Sequence, residues 1–352
     1  GVDCVALLPK KGPLCEDMRR MSVEHAILPY RLWTGPEGGP RWRRAARLGW
    51  NLFWSFPAAL RVRRWAPDLI YTNTSTVPVG AWAALLAGRP HVWHIRELGR
   101  THNRRIFDLG ERAALSAMNR LSGLVLVNSE YVAAHYRPAF DGNRIAVVRQ
   151  AVTPERREQA AVPPAAGRFR CVVVGSISRF KRQEEAVEAL ARLVAEGRAA
   201  ELLIIGEGDP EYERRLREMS ARLGLGESVR FLGEVPAAWP FIESADVVVQ
   251  CSRHEAFGRV VVEGMLAGKP VVGARSAGTA ELIHEGRTGR LYEVGDVDRL
   301  AAILRELMDG PEERARLGND ARAWAEERFS EQQYGDALVA EFRRLLDSGR
   351  VG

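Results

Sequence analysis

Short apolar runs recur along the chain, and helix-length amphipathic stretches separate them. In the first half the runs are Val5–Leu8, Leu69–Thr72, His91–His94, Leu124–Asn128 and Ile145–Val148. Rich in Val, Ile and Leu and lacking strict polar alternation, they read as parallel strands covered on both faces. The pattern restarts with predicted strands at Cys171–Val174, Glu201–Ile205, Val229–Leu232, Val247–Gln250, Pro270–Gly273 and Gly289–Tyr292. Gln183–Glu196, Pro210–Leu223 and Val260–Ala267 are predicted helices, and one last helix is expected over about Ala323–Leu346. Between the two series, Ala151–Arg168 carries Pro154, Pro163 and Pro164 and reads as a linker. The expected organisation is α/β: a first Rossmann-like domain over 1–155, a linker over 156–168, a second domain over 169–322, and a C-terminal segment, 323–352, returning to the first. Doubly wound units of this kind bind ligands beyond the carboxyl ends of their strands and in the cleft between domains.

Three segments carry candidate chemistry. Ser252-Arg-His-Glu-Ala-Phe-Gly-Arg-Val-Val-Val-Glu263 follows a predicted strand and enters a predicted helix. Gly258 lets backbone approach a ligand, and the helix start behind it offers free N–H groups to an anion. Glu255 in the loop suits sugar hydroxyls, and Glu263 in the helix suits a ribose diol; the plainer reading is two solvated carboxylates. Gly175-Ser-Ile-Ser-Arg-Phe-Lys181 is a Gly-containing turn opening a helix. It suits phosphates, with Lys181 as the cation. Arg89-Pro-His-Val-Trp-His-Ile-Arg-Glu97 places His94 at the end of a strand, as a reactive-site group or a packed histidine. Arg96 and Glu97 are read either as a pair or as acceptor contacts.

The order and spacing of these segments, with Glu263-Gly-Met-Leu-Ala-Gly-Lys-Pro-Val-Val-Gly273, Ala277-Gly-Thr-Ala-Glu-Leu-Ile283 and Glu285-Gly-Arg-Thr-Gly-Arg-Leu291, strongly resemble the retaining glycosyltransferases of family 4. The resemblance implies the GT-B fold, two Rossmann-like domains facing across a cleft, with the nucleotide diphosphate sugar held mainly on the second. It implies His94, Lys181 and Glu255 as catalytic residues. It implies donor contacts from Gly175, Ser176, Arg179, Lys181, Val235, Glu255, Ala256, Phe257, Gly258, Arg259 and Glu263. The family carries an Arg where this chain has Ser176, so Arg179 or Arg182 is the candidate replacement. It carries an aliphatic residue where this chain has Arg259, which either adds a phosphate contact or points to solvent, the reading favoured here. It opens with a strand and a Gly-rich loop, whereas Gly1–Val5 resembles its second strand. The first strand and loop are therefore expected to be absent, or their place to be filled by another segment. The Asn-Gly turn of the domain junction is changed to Gln150-Ala151.

Composition narrows the partners. The chain of 352 residues is 46% hydrophobic and 27% charged, ordinary for a globular protein of two domains. Its net charge of +6 is uneven: residues 1–160 hold 24 Lys+Arg against 13 Asp+Glu. Arg41–Trp65 alone has seven Arg, four Trp and two Phe, with no acidic residue between Glu37 and Asp68. Two readings stand for this segment: a helix lying on an anionic membrane surface, or a crossover helix packing Leu48, Leu52 and the rings onto the sheet. No nucleic-acid motif is present. Cys4, Cys15, Cys171 and Cys251 lack metal-ligand spacing and read as free thiols of a reducing, cytoplasmic compartment, peripheral on the inner membrane face if the helix binds lipid. Asp296-Val-Asp298 reads as a helix cap, so no metal and no cofactor are expected. The expected partners are a nucleotide-sugar donor and a carbohydrate or lipid-linked acceptor, in cell-envelope or exopolysaccharide synthesis. A sugar-nucleotide epimerase and a non-catalytic sugar-nucleotide binding module are the alternatives. A dinucleotide oxidoreductase is disfavoured, because no GxGxxG opens either unit.

Overall fold

A computed structural model of the chain describes residues 2–98, 105–141, 144–154, 162, 165 and 167–349. It divides into two compact units, residues 1–149 with 335–352, and residues 150–334. Most of the proposed linker, 155–161 with 163, 164 and 166, lies outside the described residues.

Among the described residues the first unit runs β1 Val5–Leu8, α1 Pro13–Arg20, β2 Glu24–Ile27, β3 Thr34–Pro36, α2 Arg41–Trp65, β4 Ile70–Thr72 and α3 Val79–Ala87. It continues β5 His91–Ile95, β6 Arg105–Phe107, α4 Glu111–Leu121, β7 Leu124–Val127, α5 Glu130–Tyr136 and β8 Ile145–Val147. Strands β4-β5-β7-β8 form one parallel sheet, and β1 and β2 pair in parallel as a separate two-stranded piece. A small antiparallel ladder joins β3 to β6. Strands β2, β3 and β6 were not anticipated, since they are short and only partly apolar. Residues of β1 and β4 line one cavity of about 410 Å³, which Tyr30, Val62 and Trp65 also border. The Tyr30 hydroxyl donates to the Leu7 carbonyl there at 3.0 Å. Among the described residues no strand joins the two sheet pieces.

The second unit runs β9 Phe169–Val174, α6 Gln183–Ala195, β10 Ala200–Ile205, α7 Pro210–Arg222, β11 Val229–Gly233, α8 Trp239–Glu243, β12 Val247–Gln250 and α9 Arg259–Leu266. Then come β13 Val271–Ala274, α10 Ala277–Leu282, β14 Arg290–Tyr292, α11 Val297–Asp309, α12 Pro311–Glu326 and α13 Glu331–Asp347. Its six strands are all parallel in the order β11-β10-β9-β12-β13-β14. The β-branched run Val247-Val-Val-Gln250 suits a strand buried on both faces, and all four residues are buried. Helix α6 turns Ala186, Val187, Ala189, Leu190 and Leu193 inward at helical spacing. Helix α7 starts where the Asp209 carboxylate accepts the N–H groups of Glu211 and Tyr212, with Pro210 in its first turn.

One long terminal helix was expected; there are two. Helix α12 stops at Glu326, Phe329 is buried, and the Ser330 hydroxyl accepts the Gln333 N–H at 3.2 Å to open α13. Helix α13 begins in the second unit and ends in the first.

Candidate functional site

In the second unit the strand order reverses at β9. Strands β10 and β11 lie to one side of it, and β12, β13 and β14 to the other. The loops leaving β9 and β12 therefore diverge at the topological switch point, where an open α/β sheet leaves a crevice. Both predicted binding segments are those loops. They meet: the Lys181 ammonium donates to Glu255 Oε2 at 2.5 Å, with both side chains mostly buried. Gln250, the polar residue that ends the apolar strand β12, extends its amide to the same oxygen at 3.4 Å. Its carbonyl oxygen accepts from the Ser252 hydroxyl at 3.1 Å. Gln250 was not singled out beforehand, although a lone amide closing a Val-rich strand was a visible signal.

Close backbone contacts hold the rest of this edge. Gly175, at φ +143°, opens the first loop, and a Cβ on Gly206 would come within 2.3 Å of the Gly175 carbonyl oxygen. Gly258 is left-handed at φ +96° and starts α9. The Gly278 N–H donates to the Glu255 carbonyl at 2.8 Å, so α10 is seated against Glu255, Ala256 and Phe257. Phe257 and Ala256 are buried. Two non-glycine residues at the starts of α6 and α10, Arg182 and Ala277, also sit at positive φ. Such strain concentrates where a loop is held for a purpose beyond packing.

The remaining donor-side residues are placed as follows. Ser176 is exposed, and the Gln183 amide donates to its carbonyl at 3.0 Å. Arg179 is exposed with no ion pair to a described residue. Arg182, one candidate for the missing Arg, is paired with Glu185, with Glu184 at 3.9 Å. Val235, just past β11, is half-buried. Arg259 was read as a phosphate contact or, in preference, as facing solvent. It is exposed but clasps Glu263 at 2.8 Å, one helical turn on, so the ribose candidate is already ion-paired. Asp296 accepts the Arg299 N–H at 2.9 Å and caps α11, as its position suggested. Among the described residues no His/Cys/Asp/Glu cluster has the arrangement of a metal site.

A second charged cluster lies at the amino ends of the same strands. There Arg170 pairs with Glu201 at 2.5 Å and donates to Ser244 at 3.0 Å. It is consumed within the fold.

His94 belongs to the first unit, in β5, and is buried. Its Nδ1 shares a hydrogen bond with the Tyr71 hydroxyl, and its Nε2 has no partner among the described residues. Tyr71 is itself set edge-on against His94 and Phe342, each at 5.7 Å between ring centres. Burial, then the nearby Arg96 charge, lowers the His94 pKa to about 3, so the ring is neutral. Glu97, read beforehand as an Arg96 partner or acceptor contact, is used internally. Its carboxylate accepts from the Thr74 hydroxyl at 2.7 Å, the Ser75 N–H at 2.7 Å and hydroxyl at 2.6 Å, and the Arg96 N–H at 3.0 Å.

Two family profiles match the chain: Glycosyltransferase Family 4 over residues 15–156, and Glycosyl transferases group 1 over residues 155–324. The chain belongs to the GT-B glycosyltransferases. Among curated relatives of the chain, the lipopolysaccharide core biosynthesis glycosyltransferase LpsD of Rhizobium meliloti is 35% identical over 173 residues, 49% of each chain. A D-inositol 3-phosphate glycosyltransferase of Streptomyces coelicolor is 28% identical over 289 residues, 70% of this chain and 62% of the relative. The chain thus spans about half the length of the first of these relatives and less than two thirds of the second. Among solved structures, Anabaena HepE in complex with UDP-glucose superposes with a TM-score of 0.75 at 25% identity, covering 96% of this chain and 91% of that one. The sucrose-phosphate synthase of Thermosynechococcus elongatus shares the fold at a TM-score of 0.73 and 20% identity.

Proposed function

We propose that the chain transfers a sugar, with retention, from a nucleotide diphosphate donor to a carbohydrate or lipid-linked acceptor. The observation that carries this reading is the Lys181–Glu255 pair at the switch point of the second unit. An ammonium and a carboxylate held side by side suit the two halves of a sugar diphosphate: the cation for the leaving phosphates, the carboxylate for the sugar hydroxyls. Gly175, Ser176 and Arg179 belong to the phosphate side. Ala256, Phe257 and Gly258 line the sugar and diphosphate through backbone, Glu263 takes the ribose, and Val235 borders the base. Arg259 sets the charge felt by Glu263. In the first unit His94 is the candidate catalytic group, a neutral ring whose Nε2 has no partner among the described residues.

In the reaction the anomeric carbon–phosphate oxygen bond breaks with its electron pair going to the diphosphate. The acceptor oxygen bonds the same face of the carbon, and its proton passes to the departing phosphate. Positive charge at Lys181 and the amino end of α9 stabilise the anion as it forms, which is where such sites gain most of their rate. No metal or cofactor is called for in this scheme. A uracil nucleotide is the donor to test first, because HepE is described in complexes with UDP and UDP-glucose. Cell-envelope polysaccharide assembly is the setting to test first, because LpsD is named for lipopolysaccharide core synthesis.

The test is calorimetry of nucleoside diphosphates and their sugars on the chain and on Glu263→Ala. One base should bind selectively, and the substitution should weaken it by about ten-fold or more, the value of a hydrogen bond to a charged group. Donor consumed without acceptor would instead favour epimerisation, and binding with no turnover on any acceptor would favour a binding module.

A further inference from the structure

Helix α2 is amphipathic in the wrong sense for a helix that only packs on its own sheet. Its buried residues are Asn51, Ser55, Ala58, Ala59 and Val62, small or polar for the most part. Its large apolar residues point the other way: Trp42, Leu52, Phe53, Phe56 and Leu60 are 53–67% exposed. At 3.6 residues per turn these five fall within about 100° of arc, centred roughly 130° from the buried five. The packing alternative put Leu48, Leu52 and the rings on the sheet; Leu48 and Trp54 are half-buried, whereas Leu52, Phe53 and Trp42 turn outward. An exposed apolar stripe of this size marks an interaction surface.

The charge around the stripe selects the partner. Arg41, Arg43, Arg63 and Arg64 are exposed at the two ends of the helix. The Arg43 guanidinium lies over the Trp42 ring at 5.2 Å. No acidic residue occurs between Glu37 and Asp68. Aromatic and aliphatic side chains flanked by arginines match the acyl boundary and phosphate layer of an anionic bilayer. Among the described residues no helix is long and apolar enough to cross a membrane. We infer that α2 is a membrane-docking helix, lying in the plane of an anionic lipid surface with Trp42, Leu52, Phe53, Phe56 and Leu60 inserted and the terminal arginines on lipid phosphates. Such docking holds the first unit at the bilayer whatever donor or acceptor the chain uses, so it stands or falls apart from the transfer reading.

Vesicle flotation tests it, with phosphatidylcholine alone and with about 30% phosphatidylglycerol added. The chain should float with the anionic vesicles at low salt and much less with the neutral ones. Phe53→Ser/Phe56→Ser/Leu60→Ser should reduce the bound fraction by about ten-fold or more, because apolar insertion is lost. Arg63→Glu/Arg64→Glu should abolish the preference for anionic lipid while leaving the apolar face. All five substituted residues are exposed, so thermal melts should match those of the unaltered chain for the triple variant and fall by no more than a few degrees for the arginine variant, in which Arg63 gives up its hydrogen bond to the Leu86 carbonyl at 2.6 Å. Absence of flotation at low salt overturns the proposal, as does flotation that the triple variant leaves unchanged. So does light scattering showing a dimer that the triple variant dissolves in a chain that does not float, since the stripe would then face a second copy.

Discussion

Lys181 and Glu255 lie 74 positions apart in sequence and share a 2.5 Å hydrogen bond. Each was legible from its own motif: a cation after a Gly turn, a carboxylate before a Gly-led helix. Their contact was not, because it depends on which strands are neighbours. The pairing changes what a substitution should do. In Glu255→Gln the ammonium loses its partner and an incoming diphosphate loses a nearby like charge. A nucleoside diphosphate without sugar should then bind as well or roughly three- to ten-fold better, while turnover falls by about a hundred-fold or more. Calorimetry set beside donor consumption checks both halves; much weaker diphosphate binding would mean that Glu255 is needed to aim Lys181. Arg259 is the opposite case: its grip on Glu263 follows from i,i+4 spacing, which is local and could have been read from the sequence.

At the scale of elements, the Glu255 loop is shaped by a helix that follows it. A Cβ on Gly278 would lie 2.8 Å from the Ala256 carbonyl oxygen, 2.9 Å from that of Glu255 and 2.9 Å from the Phe257 Cα. These are backbone atoms, so relief requires moving the loop. Gly278→Ala should cost about 1–3 kcal/mol of stability and weaken sugar-nucleotide binding more than it weakens the diphosphate alone. Denaturant melts and calorimetry together measure this; unchanged affinity would show the loop to be dispensable. The strands at Val5–Leu8 and Val247–Gln250 took the predicted bounds, since an apolar β-branched run is a local signal. The break between α12 and α13 escaped notice because charged residues on both sides continue a helical pattern. What interrupts it is Phe329 turning into the core of the second unit.

For the molecule as a whole, acid sensitivity should come from β5. Burial lowers the pKa values of both His91 and His94 to about 3, against about 6.5 in an unfolded chain. Between those values the unfolded chain takes up protons that the folded chain does not. Stability is therefore full above about pH 6.5 and falls as pH drops toward 3, by up to about 1.4 kcal/mol per pH unit for each histidine. Thermal melts from pH 7.5 to 4.5 should show the midpoint steady above 6.5 and declining steeply below. A midpoint that is flat down to pH 4.5 would contradict the buried, neutral state of both rings. Across the chain, the first 160 residues carry the excess of basic groups, and the exposed arginines of α2 belong to it.

By itself the sequence determined the two doubly wound units, most strand positions, the cap at Asp296, and the residue types suited to a sugar diphosphate. Each of these rests on periodicity or on contacts within a few residues. Tertiary structure decided which groups meet and which are used up: Lys181 with Glu255, Arg170 with Glu201, Glu97 with Thr74 and Ser75. It also decided which side of α2 is buried. That choice could not be read from composition, because the helix turns its small residues inward and its large apolar ones outward. A pattern rule that assigns the apolar face to the core points the opposite way.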